Sequence, residues 1–356
     1  MINYFRKNSF TGGYCMKKNK KPVSKAKKII KTIVAIILII ILVSVAFFGI
    51  SAAVCTLAPG KAPDPANVTN PYITTGNSLV SAHRSGGGIA PENTMMAFKN
   101  CIESKDFNVD VFEFDLHITK DGQLILLHDG SLDRTTDSAE KYGEEGVTPI
   151  TKTYEELREL NFGENFQDEN GNYPYRGLRG KDIPDDLRAL LLDDVLTYLQ
   201  ANGDFSYIIE IKDAGEPGFK AADELHRILK EHGLLEKVIF GTFNGDVTKY
   251  VDDNYPDMLR SAGIAEVVEF YFACTLGIDR KDGHYKFDAL QIPANQFVVF
   301  RLGTERVINY AHRHNIAVQY WTINEADEIA RLNSIGADTI MSDVPDVAYR
   351  MINGEN

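Results

Sequence analysis

The sequence predicts an α/β fold: a (β/α)8 TIM barrel with a hairpin and a cap-like insertion after strand 2, preceded by one N-terminal transmembrane helix. Three observations carry this reading. Short apolar runs at 79–83, 111–119, 206–212, 238–243, 259–264, 289–293, 317–323 and 339–342 alternate with helical patterns that include 94–104, 186–200, 218–232, 304–314 and 325–334. Eight strands separated by helices fit a parallel barrel, whose usual size is about 250 residues. Asp121-Gly122 lies between two apolar runs and marks a hairpin. Residues 32–57 form 26 positions without a charged side chain, enough for a helix to cross the hydrocarbon layer.

Residues 1–31 contain ten Lys or Arg and no Asp or Glu, so the total of −12 conceals a body at −22. An acidic body repels polyanions, which argues against a nucleic-acid partner. The basic tail (1–31) ahead of the apolar run (32–57) predicts a cytoplasmic amino terminus, a single-pass anchor in the cell membrane and an extracytoplasmic remainder. The run is longer than the apolar region of a removable signal peptide. Val54 before Cys55 is too large for a lipoprotein cleavage site. Pro59, Pro63, Pro65 and Pro71 make 58–77 a Pro-rich linker, and 78–356 is the barrel domain. An oxidising exterior permits a Cys101–Cys274 bridge, although both cysteines sit in sequences that resemble packed helix faces.

Several helix candidates open on Asp, Asn or Thr caps, and Asn93 or Thr94 serves this purpose after Pro91-Glu92. Around Asp121-Gly122, a two-residue turn places Asp115 opposite His128. Alternation then puts Glu113, Asp115 and His128 on one side. A parallel neighbour needs a crossover of about a dozen residues, so the return arm 123–128 doubles back rather than joining the barrel. The polar, Gly-rich stretch 138–185 follows as a cap over one end.

Barrel sites lie at the carboxyl ends of the strands. Those ends carry His83-Arg84, Glu113 with Asp115, Glu210 with Lys212, and Trp321 near Asn324. Three converging carboxylates repel one another unless a hard cation sits between them, and oxygen ligands suit Ca2+ or Mg2+. Two histidines can divide acid and base duties, while Arg84 and Lys212 add fixed positive charge suited to a phosphoryl group. His117 shares the face, but no motif claims it, and it reads as a packing or surface residue. His226, His232, His284, His312 and His314 read as structural.

In these residues the chain resembles the glycerophosphodiester phosphodiesterases, within the phosphatidylinositol-phospholipase-C-like barrel superfamily. The resemblance rests on His83-Arg84, Pro91-Glu92-Asn93-Thr94, Glu113-x-Asp115, Thr119-Lys120-Asp121-Gly122, His128-Asp129, Leu132-x-Arg134-Thr135-Thr136, Glu210-Ile211-Lys212 and Trp321-Thr322-x-Asn324, in order. It implies Glu113, Asp115 and Glu210 as ligands of one divalent cation and His83 and His128 as general acid and base. It also implies Arg84 on the phosphate, Lys212 beside the metal, Trp321 against the glycerol or leaving group, and Glu92 and Asn93 as supporting residues. The reaction it implies is hydrolysis of a glycerophosphodiester to glycerol 3-phosphate and an alcohol. Polymeric glycerol phosphate or a lysophospholipid is an alternative substrate, and an inactive, membrane-tethered binding barrel is an alternative of another class. One departure is Ser85, where the family usually has Gly.

Overall fold

The computed structural model describes residues 25–281, 283–296 and 300–354. Of the basic tail expected at 1–31, residues 1–24 lie outside the described part. The chain divides into two compact units, Met1–Gly49 and Ile50–Asn356. In the first, the described residues belong to one exposed apolar helix, the start of α1 (Lys25–Leu57), which begins seven residues before the uncharged run. It is long and apolar enough to cross a membrane, and a signal sequence would have the same character.

The second unit contains strands β1 (Leu79–Ala82), β2 (Val111–Ile118), β3 (Leu124–Leu126), β4 (Ser206–Ile211), β5 (Val238–Gly241), β6 (Ala289–Ile292), β7 (Asn295–Gln296), β8 (Phe300–Arg301), β9 (Ala317–Tyr320) and β10 (Thr339–Ser342). The helices are α2 (Met95–Glu103), α3 (Ser138–Tyr142), α4 (Tyr154–Leu157), α5 (Leu192–Asn202), α6 (Gly215–His232), α7 (Gly245–Asn254), α8 (Ile264–Leu276), α9 (Glu305–Arg313), α10 (Ala326–Ser334) and α11 (Pro345–Asn353). Seven strands run parallel in the order β5-β4-β2-β1-β10-β9-β6, and β3 pairs antiparallel on β2. The gap between β5 and β6 is bridged by residues 259–262. Phe240 N donates to Leu259 O at 2.9 Å, Ser261 N to Phe240 O at 2.8 Å and Ala262 N to Ala289 O at 2.9 Å. The strand expected at 259–264 is therefore a short stave of isolated bridges, Phe240 with Arg260 and Ser261 with Ala289. Its far end is lost to a helix: Glu266 accepts from Gly263 N at 2.8 Å and starts α8 at Ile264.

Period-two alternation builds the barrel wall. Phe112, Phe114, Leu116 and Ile118 of β2 point outward and pack with the helices, among them Leu225 and Ile228 of α6. Val111, Ile208, Ile239, Ala289, Ala317 and Met341 fill the interior together with Tyr72. Tyr72 comes from the stretch read as a linker; it is buried and its hydroxyl donates to Glu236 O at 2.8 Å. Burying such a ring stabilises by roughly 2–3 kcal/mol, which ties the end of the 58–77 stretch to the barrel.

Two local expectations change. The helix expected from 186 begins at Leu192, because the residues before it serve the hairpin: Leu126 N donates to Leu190 O at 3.2 Å, and Ile125 bridges Leu191. Cys101 and Cys274 are free, buried thiols in separate apolar clusters, so the permitted bridge is not made. Helices α7, α8 and α11 go beyond the patterns recognised above.

A candidate active site at the carboxyl ends of the staves

Beyond the apolar layer of Val111 and Ile208, the same alternation brings Glu113, Asp115 and Glu210 to the inner face. Parallel pairing sets Asp115 directly beside Glu210. One oxygen from each of the three carboxylates lies within 4.8 Å of the others. Burial and the Asp115 charge push the Glu113 carboxyl up to about 8. Burial also raises Asp115, but Lys212 and His128 outweigh it and hold that carboxyl below its ordinary range. Lys212 Nζ lies 2.9 Å from Asp115 Oδ1 and 3.0 Å from Glu210 Oε1. Three carboxylates, Glu113 and Asp115 buried and Glu210 partly so, with Glu113 and Glu210 both raised chiefly by burial, form a hard oxygen donor set that fits one divalent cation.

The loop after β1 is fastened to these acids. Arg84 N donates to Glu113 Oε2 at 2.6 Å, and Arg84 O accepts from Asn93 N at 3.0 Å. Asn93 Nδ2 donates to Asp115 Oδ2 at 3.1 Å. Thr94, one residue on, caps α2 by accepting from Ala97 N at 3.3 Å. Arg84, Ser85 and Asn93 all hold positive φ, of 49°, 65° and 56°. The Arg84 guanidinium reaches Glu92 at 3.3 Å and Asp115 at 4.0 Å.

Each imidazole is gripped at Nδ1 by a carboxylate. His83 Nδ1 is 2.6 Å from Asp343 Oδ1, while its Nε2 lies 3.4 Å from Thr322 Oγ1 and 3.9 Å from Glu113 Oε2. Asn324 Nδ2 in turn donates to Asp343 Oδ2 at 2.7 Å. His128 Nδ1 is 2.6 Å from Asp129 Oδ1, and Arg134 binds both Asp129 and Glu92. Burial disfavours the charged form of His83, but Glu113 and Asp343 reverse the balance and raise it. For His128, burial prevails over Asp115 and Asp129 and lowers it.

The hairpin register differs from expectation. Leu116 faces Leu126 and His117 faces Ile125, so Asp115 lies opposite Leu127 rather than His128. The loop has three residues, with Gly122 N bonded to Thr119 O at 3.0 Å and Gly122 at a φ of 81°, the left-handed position that such a loop assigns to glycine. His128 therefore stands one residue past the pairing, beyond the regular arm.

His83, Arg84, Glu113, Asp115, His128, Glu210, Lys212 and Trp321 all line one cavity of about 420 Å3. Trp321 packs edge-on against Phe243, with ring centroids 5.8 Å apart. Glu92 and Asn93 stand behind this wall, on Arg84 and Asp115. None of residues 138–185 lines the cavity; the insertion packs on the hairpin, with Leu157, Leu160 and Phe162 against Ile125 and Leu127. His117 is buried, with Nδ1 2.8 Å from Asp213 Oδ1, and lines an adjoining pocket beside His128, Glu210 and Lys212. His312 bonds Asp338 at 2.8 Å, also outside the cavity. Sequence reasoning missed Asp343. Its signal was position, for it is the first residue beyond β10, where barrels place functional side chains.

The Glycerophosphoryl diester phosphodiesterase family matches residues 83–347. A glycerophosphodiester phosphodiesterase of Caldanaerobacter subterraneus is 26% identical over 281 residues, which cover 77% of this chain and 98% of that protein. The glycerophosphoryl diester phosphodiesterase domain of the uncharacterized protein Rv2277c from Mycobacterium tuberculosis superposes with a TM-score of 0.61 at 18% identity, covering 77% of this chain and 98% of that one. A phosphodiesterase of Oleispira antarctica, solved in complex with the product sn-glycerol-3-phosphate, superposes with a TM-score of 0.57 at 20% identity, covering 78% and 97%.

Proposed function

The chain belongs to the glycerophosphoryl diester phosphodiesterase family, and from that premise we propose that it hydrolyses glycerophosphodiesters to glycerol 3-phosphate and an alcohol with one divalent cation, Ca2+ or Mg2+. The observation that carries this reading is the convergence, in one cavity, of two imidazoles each held by a carboxylate at 2.6 Å and a cluster of three carboxylates, two of them buried. Glu113, Asp115 and Glu210 would hold the cation, which when bound supplies charge to stabilise the developing negative phosphorane.

Arg84 and Lys212 draw the phosphate against the acidic wall and fix its orientation. One imidazole takes the proton of the glycerol 2-hydroxyl as that oxygen attacks phosphorus, and the other protonates the departing alcohol. Water, activated in the reverse sense, then opens the cyclic phosphate. Asp343 and Asp129 keep each ring in the tautomer that presents Nε2 to the substrate. Trp321 lines the pocket against the glycerol or the leaving group.

Release of glycerol 3-phosphate from glycerophosphocholine or glycerophosphoethanolamine, with and without chelator, tests the proposal. His83→Ala and His128→Ala are each expected to lower kcat by about 10²–10⁴. Turnover unaffected by both changes together would reject it, and metal binding without turnover across a panel of diesters would favour a binding barrel. We further propose that α1 anchors the chain in the cell membrane with the basic end cytoplasmic and the barrel outside. The uneven distribution of lysines supports this, and protease protection of an epitope on either end checks it.

A further inference from the structure

The cavity has two chemically different walls. One carries the carboxylates, the imidazoles, Arg84 and Lys212; the other is built by Phe243, Ile264, Val267, Val268, Leu302 and Trp321. Helix α8 explains the second wall. It buries Phe270, Tyr271, Ala273 and Cys274 against the body, so its packing requirement is already met. It nevertheless carries Ile264, Val267 and Val268, at i, i+3 and i+4, on the face that lines the cavity. Ile264 is 61% exposed, Val268 41% and Phe243 54%. Large apolar side chains gathered on one cavity wall and left in water mark a place for an apolar ligand.

Resting on the hydrolase reading above, we infer that the substrate is a lysophospholipid, whose phosphodiester sits among the acids and imidazoles while its single hydrocarbon chain lies along the wall of Ile264, Val268 and Phe243. The two walls belong to one continuous cavity, so one molecule with a charged end and an apolar end satisfies both. A glycerol-phosphate oligomer presents repeating phosphates and hydroxyls, to which the second wall offers little. In a lysophospholipid acylated at position 1, the glycerol 2-hydroxyl is free to attack phosphorus. That attack breaks the P–O bond to the head alcohol, which leaves with a proton. One water then opens the cyclic phosphate, and the net products are lysophosphatidate and the alcohol.

The test measures choline release by the full chain, with divalent cation, from glycerophosphocholine and from lysophosphatidylcholines of increasing chain length, each below its micelle concentration. We expect kcat/KM to rise by about two- to fourfold per added methylene until the wall is covered. Ile264→Ser combined with Val268→Ser, both at exposed positions, should flatten that rise, and Ile264→Met should retain it. Glycerophosphocholine used as well as the lysolipids, a glycerol-phosphate oligomer used better than either, or a chain-length dependence unchanged by the double substitution would each overturn the inference while leaving the hydrolase standing. No choline released from any of these substrates would overturn both.

Discussion

Arg84 and Ser85 show how a few residues hold the acidic centre in shape. The left-handed turn they form aims Arg84 N at Glu113, at the expense of two non-glycine residues in a conformation that costs roughly 1–2 kcal/mol each. Ser85 is fully buried and its hydroxyl has no hydrogen-bond partner. A glycine at this position relieves both costs, against a loss of roughly 0.5–1 kcal/mol in chain entropy. Ser85→Gly is therefore expected to raise stability by about 1 kcal/mol, read from the midpoint of denaturant unfolding. Asp343 acts on His83 rather than on substrate. Asp343→Asn should lower kcat by roughly a hundredfold, shift the pH profile toward lower pH as the imidazole loses the charge that raises it, and leave KM nearly unchanged.

At the scale of elements, the hairpin of β2 and β3 with the arm beyond it delivers Asp115 and His128, and an Arg134 clamp fixes that arm. Burial raises the Asp129 carboxyl, but the bonds from Arg134 and His128 prevail and hold it well below its ordinary range. A carboxyl depressed in the folded state contributes stability that is present above its unfolded value, about 4, and lost as pH falls through the folded one. With Asp129 about 30% exposed, solvent screening limits the contribution to roughly 1 kcal/mol. Asp129→Asn should thus be less stable than the parent at pH 7, with the difference narrowing as the pH falls below about 4 in thermal melts. Helices α6 and α7 pack through Gly218, where an added Cβ would lie 2.4 Å from Asp213 O and 2.6 Å from Val247. Gly218→Ala is expected to cost roughly 1–3 kcal/mol in unfolding free energy.

For the whole molecule, the barrel concentrates repulsion at one end. Glu113, Asp115 and Glu210 project from two adjacent staves into one small volume, and Lys212 compensates only part of their charge. A divalent cation that binds only the folded chain adds about 2.7 kcal/mol at one hundred times its Kd. Saturating Ca2+ or Mg2+ should accordingly raise Tm by several degrees, chelator should reverse the gain, and Asp115→Asn should abolish it, as followed by calorimetry.

The sequence by itself determined the α/β barrel, the hairpin, the apolar leader and the residues whose chemistry converges, because period-two alternation, turn glycines and the charge of side chains are local properties. It also placed Thr94 among the possible caps and Lys212 beside the acids. Only the tertiary structure decided the rest. The register around Gly122 depended on whether the loop held two residues or three, a choice made when β3 docked on β2 and on the 190–191 backbone. The start of α8 depended on Glu266 reaching Gly263. The partnership of His83 with Asp343 joins residues 260 positions apart, and no local pattern records that barrel closure sets the end of β1 beside the end of β10. Nor does helical periodicity say which of two apolar faces of α8 meets the body and which meets the cavity; the closure of the staves settles that.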